Sequence, residues 1–82
     1  MPVKIVANGE VLSAYLDGEI DHHSASVMRN EIDAAVEKNM PTMLVLDFRD
    51  VTFMDSSGIG LVMGRYKVMK LAGLDRLAKM DR

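Results

Sequence analysis

The sequence predicts an α/β fold: a small mixed sheet with an N-terminal hairpin, a βαβ unit and at least two helices. Three observations carry this. Asn8-Gly9 separates two short alternating segments, the hydrophobic period changes from 2 to about 3.6 from Ser24 onward, and Met43-Leu44-Val45-Leu46 is apolar at four consecutive positions.

Residues 3–6 and 11–16 read as the two strands of a hairpin, because Asn-Gly accepts the positive φ that a tight turn demands. Asp17-Gly18 is expected to end the second strand. Over residues 24–38, Ala25, Met28, Ile32, Ala35 and Val36 fall on one helical face and Arg29, Asn30, Glu31, Asp33, Glu37 and Lys38 on the other. Asn39 and Pro41 close that helix, since proline cannot continue it. The apolar run at 43–46 suits a strand in the middle of a parallel sheet, covered on both faces. Residues 11–47 then form a βαβ unit with a right-handed crossover. Residues 49–54 read as a linking segment that anchors Val51 and Phe53 in the core. Asp55-Ser56-Ser57 opens a second helix, with Ile59, Val62, Tyr66, Met69 and Gly73 as its inward stripe. Residues 71–82 are also helix-like, with Leu71, Leu74, Leu77 and Ala78 at helical spacing.

Composition narrows the function. The chain has 82 residues, 49% hydrophobic and 27% charged, which suits one small globular domain, residues 1–82, with a thin stability margin. A net charge of −2 with scattered Lys and Arg argues against a nucleic-acid binder, which needs a basic stripe. No cysteine is present, so disulfides and thiolate metal sites are excluded. No apolar run approaches the length of a membrane span, and the expected location is the cytoplasm.

The chemistry concentrates in Asp55-Ser56-Ser57-Gly58-Ile59-Gly60, between the exit of a strand and the start of a helix, where α/β proteins bind ligands and partners. Asp55 or a serine is the natural cap of that helix. A serine there can also accept a phosphate without unfolding the helix, because a helix N-terminus tolerates negative charge. Hydrolysis by Ser56 is disfavoured: a nucleophile elbow needs glycine where Met54 stands. Gly58, Gly60 and Gly64 miss the dinucleotide-binding spacing by one residue, and Arg65-Tyr66 stands where a phosphate-cradling Lys would be needed. These glycines fit close packing of helix on sheet, or room for a partner to approach. His22-His23 lacks a third ligand and reads as a cap or surface contact, so neither a metal nor a cofactor is expected. Leu61, Met63 and Val68 lie off the stripe, as a partner-binding patch beside Ser56 or as contacts to a second core layer.

Leu16-Asp17-Gly18-Glu19-Ile20-Asp21-His22-His23-Ser24, Phe53-Met54-Asp55-Ser56-Ser57-Gly58-Ile59-Gly60 and Gly64-Arg65-Tyr66-Lys67 together resemble the STAS domains, and among them the sporulation anti-sigma factor antagonists. The resemblance implies a binding protein and not an enzyme. In its unphosphorylated form it would bind an anti-sigma factor that is also an ATP-dependent serine kinase, and so free a sigma factor. ATP belongs to that partner. Ser56 would be the phosphorylated residue and a serine phosphatase would reset it. Asp21 matches the family's acidic residue that contacts the kinase, and the partner-binding surface is expected to comprise Asp21, Asp55, Ser56, Ser57, Gly58, Ile59 and Leu61. The other reading is a STAS module in a stress-signalling or scaffold complex with a different partner. The family continues past its second helix into another strand and further helices. With residues 71–82 read as helical, the fold is shortened at its C-terminus and the outer edge of strand 43–46 is left open. Self-association through that edge follows as an expectation.

Overall fold

The computed structural model describes residues 3–71, 73 and 76–80. In chain order these form β1 (Val3–Asn8), β2 (Val11–Ile20), α1 (His22–Asn39), β3 (Met43–Met54), α2 (Ser56–Leu71) and β4 (Arg76–Met80). The four strands make one mixed sheet in the order β1-β2-β3-β4. β1 and β2 are an antiparallel hairpin, whereas β2 with β3 and β3 with β4 are parallel. Both crossovers step the same way along the sheet, so right-handed connections place α1 and α2 on one face, where they touch each other.

The core lies between that face and the helices. Leu12, Ala14, Leu16 and Ile20 of β2 and Leu44, Leu46 and Phe48 of β3 meet Met28, Ile32 and Val36 of α1 and Leu61 and Met69 of α2. Alternation along β2 and β3 supplies the sheet side of this core. Among the described residues, no helix is long and apolar enough to cross a membrane.

Several boundaries differ from the sequence expectation. β2 does not stop at Asp17-Gly18. It continues to Ile20 through register shifts on either side of these residues, with Gly18 at φ +83°. Residues 49–54 are not a link but the second half of β3. Its Val51 is half-buried, and Phe53 stays 58% exposed rather than anchoring in the core. β3 does sit between two parallel neighbours, but only one of its faces is layered by helices among the described residues. Met43 and Val45, on the other face, are half-buried.

The largest correction concerns the C-terminal segment. α2 ends at Leu71, Gly73 turns the chain at φ +74°, and residues 76–80 run as a strand along β3, pairing Leu44 with Leu77 and Leu46 with Lys79. The outer edge of β3 is therefore covered, and the expectation of self-association through it loses its basis. Leu74, part of the expected helical spacing, lies outside the described residues. In so short a segment, leucines three apart satisfy a helical period without being helical.

α2 is rotated relative to its expected stripe. Gly58, Leu61, Arg65 and Met69 face inward, while Ile59 and Tyr66 are 61% and 47% exposed. Apolar residues surround this helix, so periodicity alone does not choose a face, and a buried arginine disguises the true one. Leu61, expected on the partner surface, is instead core at 3% exposure.

Candidate functional site

The parallel strands β2 and β3 end level with each other, at the pair Ile20 and Met54. Each is followed at once by an aspartate and a helix. Asp21 caps α1: its carboxylate Oδ1 accepts the Ser24 amide at 2.9 Å, and Ser24 Oγ accepts the Asp21 amide at 2.9 Å. This reciprocal pair is a capping box, in which two otherwise orphaned amides satisfy each other's side chains. Hydrogen bonds from Ser24 hold the Asp21 carboxyl below the usual carboxylate range. Ser24 Oγ also donates to the Glu19 carbonyl at 3.0 Å, tying the helix start back to β2.

Asp55 caps α2 with its side chain, but without the reciprocal bond. Its Oδ1 accepts the Ser57 amide at 2.8 Å, and its carbonyl accepts the Gly58 amide at 3.1 Å. The Asp55 amide donates to the Ile20 carbonyl at 3.1 Å, so the two caps are stitched together by the backbone. Ser56 is the first residue of α2 and its side chain is exposed, whereas Ser57 is half-buried. Gly58 is buried, and a Cβ there would overlap Cγ and Sδ of Met54, so the turn from β3 into α2 is closed by side-chain packing over a glycine. Gly60 and Gly64 differ: a Cβ at either would meet nothing within 4 Å.

Of the expected partner-binding residues, the structure brings Asp21, Asp55, Ser56 and Ile59 together on an exposed end of the molecule, with Ser57 partly covered and Gly58 and Leu61 buried. Helical spacing places Ile59, Met63 and Tyr66 on the same side of α2 as Ser56, and these three are 61%, 64% and 47% exposed. Of the off-stripe residues, Met63 is thus on the surface and Val68 is half-buried against the core. Sequence reasoning missed Tyr66 as an outward apolar residue because it assigned it to the inward stripe, whereas Ile59, placed on that stripe, was also expected at the partner surface, where its exposure puts it. His22 and His23 are exposed in the first turn of α1. Among the described residues, no group of three His, Cys, Asp or Glu side chains could hold a metal ion.

Behind this end, Arg65 carries a buried charge. Its Nε lies 2.7 Å from Asp33 Oδ1 of α1, although neither atom has a well-aligned hydrogen bond. A second ion pair sits on β3, where Arg49 grips both oxygens of the buried Asp47, Nη2 to Oδ2 at 2.6 Å and Nε to Oδ1 at 3.0 Å. Hydrogen bonds from Arg49 hold the Asp47 carboxyl below its usual range.

Comparison with known proteins agrees with this architecture. Residues 2–77 match the STAS domain family. An anti-sigma F factor antagonist from Paenibacillus polymyxa is 40% identical over 63 residues, which cover 77% of this chain and 54% of that protein. The chain thus spans about half the length of that relative. The solved structure of the anti-sigma factor antagonist SpoIIAA in its unphosphorylated form superposes with a TM-score of 0.77 at 31% identity, covering 94% of this chain and 70% of the other. The phosphorylated form of the Bacillus cell fate determinant SpoIIAA gives 0.75 at 26% identity, covering 98% and 90%.

Proposed function

We propose, from the premise that this chain belongs to the STAS domain family, that it is an anti-sigma factor antagonist: a cytoplasmic binding protein switched by phosphorylation of Ser56. The unphosphorylated chain binds an anti-sigma factor that is also a serine kinase, and the sigma factor held by that kinase is released. ATP is bound by the kinase, and a serine phosphatase restores the antagonist. One observation carries the reading: Ser56 is an exposed hydroxyl at the head of an exposed apolar stripe, on a helix whose N-terminus is already capped by Asp55.

That arrangement separates the switch from the fold. A phosphate on Ser56 adds about −1.5 to −2 charges and three acceptor oxygens without removing a cap or a core contact. Asp55 and Asp21 are close by, so the new charge joins an already acidic end. A partner packed over Ile59 and Met63 must then desolvate that charge, and burying an unpaired phosphate is far costlier than burying a hydroxyl. Asp21 acts twice, as the cap of α1 and as an acidic contact for the kinase.

Incubation with the cognate kinase and ATP, followed by phosphopeptide mapping, tests the reading. Phosphate on Ser56, and none in the Ser56→Ala protein, is the expected result. Phosphate confined to Ser57, or no binding of kinase by the unmodified chain, would overturn it.

A further inference from the structure

A cleft of about 500 Å³ lies between α1 and α2, a volume within the range of small-molecule sites. Ser26 and Arg29 of α1 line one wall, and Gly60, Gly64 and Arg65 of α2 the other, over a floor that includes Leu61. Two features of this cleft are unexplained by the fold. The first is its emptiness. Gly60 and Gly64 are one helical turn apart and both leave open space where a Cβ would stand. Glycine inside a helix lowers its stability relative to alanine, and here the lost side chains are not exchanged for closer packing.

The second is charge. Among the described residues, two guanidinium groups line the cleft and no carboxylate does. Arg65, with its side chain 7% exposed, pairs through Nε with Asp33 at 2.7 Å without a well-aligned hydrogen bond. Arg29 donates to Ser26 Oγ at 3.3 Å, and Arg65 has its pKa lowered first by burial and then by the Arg29 charge, against the opposing pull of Asp33. Two guanidinium groups facing one open volume suit an oxyanion. Guanidinium forks match the paired oxygens of a carboxylate or phosphate, and a serine hydroxyl adds a further donor.

We propose that this cleft binds a small oxyanion, a phosphate or a carboxylate, between Arg29 and Arg65, with the space left by Gly60 and Gly64 admitting the body of the ligand. The cleft reaches Ser57 and His22 at the end that carries Ser56, but Ile59 and Met63 do not line it. Its ligand approaches between the helices, whereas a docked protein covers Ile59 and Met63.

The test is a titration of the isotope-labelled protein with sodium phosphate and, separately, sodium acetate, against sodium chloride at matched ionic strength. Saturable shifts in the amides of Ser26, Gly60 and Gly64 and in the Nε–H signals of Arg29 and Arg65, with phosphate or acetate but not chloride, are expected. The more effective anion identifies the ligand class. Arg29→Gln, at an exposed position, should leave the melting temperature unchanged and weaken binding at least tenfold. Gly64→Leu should block it by filling the cleft. Shifts that do not saturate, that follow chloride equally, or that persist undiminished in Arg29→Gln would overturn the proposal.

Discussion

The Asp55 amide and the Ile20 carbonyl are 3.1 Å apart, and this one hydrogen bond fixes the start of α2 against the end of β2. It brings two capping aspartates, Asp21 and Asp55, to the same end of the sheet although 34 positions separate them (55 − 21). Backbone geometry therefore places the two aspartates, and each carboxylate then caps its own helix. Substitutions at the exposed side chains of this end should alter recognition more than fold, except where a side chain is also a cap.

Ser56 is the clearest case of separation. Ser56→Asp should melt within about 2 °C of the unsubstituted protein, because the side chain is exposed and surface changes are usually nearly neutral. Its affinity for the anti-sigma kinase should fall at least tenfold. Calorimetric melting alongside a binding titration checks both, and a large loss of stability would mean that Ser56 contributes to the fold.

Asp21 is the exception. Asp21→Ala removes the carboxylate half of a capping box, leaving the Ser24 hydroxyl on the Asp21 amide, and should lower the melting temperature by about 4–8 °C. Asp21→Asn can still accept the Ser24 amide and should retain most of the lost stability. If the carboxylate also contacts the kinase, Asp21→Asn will fold normally yet bind weakly. Thermal melts and affinities of the two variants separate the two roles.

The faces of α2 should respond in opposite ways. Leu61→Ala, at a core position, is expected to cost about 2–5 kcal/mol of stability. Met63→Ser, two residues on and 64% exposed, should leave chemical denaturation almost unchanged while weakening binding of the kinase. Equal effects of both on stability would show that Met63 is packed in solution.

Acid should destabilise the protein through Asp21 and Asp47. Both carboxyls titrate below their ordinary value in the folded chain, Asp21 through hydrogen bonds from Ser24 and Asp47 through those from Arg49. A depressed folded pKa gives stability that is fully present above the unfolded value, near pH 4, and is lost as the pH falls through the folded values. The melting temperature should therefore drop as the pH falls below about 4. Asp47→Asn should melt earlier at neutral pH but lose less on acidification, and melts across this range check the difference in slope.

Much of the fold was legible because local chemistry and tertiary structure agree in the first half of the chain. Asn8-Gly9 turns the hairpin with Gly9 at φ +62°, and the face Met28, Ile32 and Val36 is buried as its spacing predicts. Legibility failed where side-chain patterns are ambiguous. Arg65 is buried by pairing with Asp33, a contact invisible in a hydrophobic pattern, and it carries the inward face of α2 with it. β4 was hidden because its strand identity comes from β3, more than thirty residues earlier in the chain, and not from its own five residues. At the site, the motif around Ser56 located the right loop, while which of its neighbours face solvent was decided by the rotation of α2.

The late pairing of β4 also has a consequence for synthesis. Leu44 waits for Leu77, 33 positions later in the sequence (77 − 44), before its strand is flanked on both sides. Once β3 has left the ribosome and before residues 76–80 follow it, the hairpin, α1 and β3 can assemble while the outer edge of β3 is without a neighbour. An unpaired edge beside Leu44 and Leu46 is a template for other chains. The nascent protein is therefore most exposed to aggregation in the interval before residues 76–80 emerge, and that parallel strand acts as the latch that ends it.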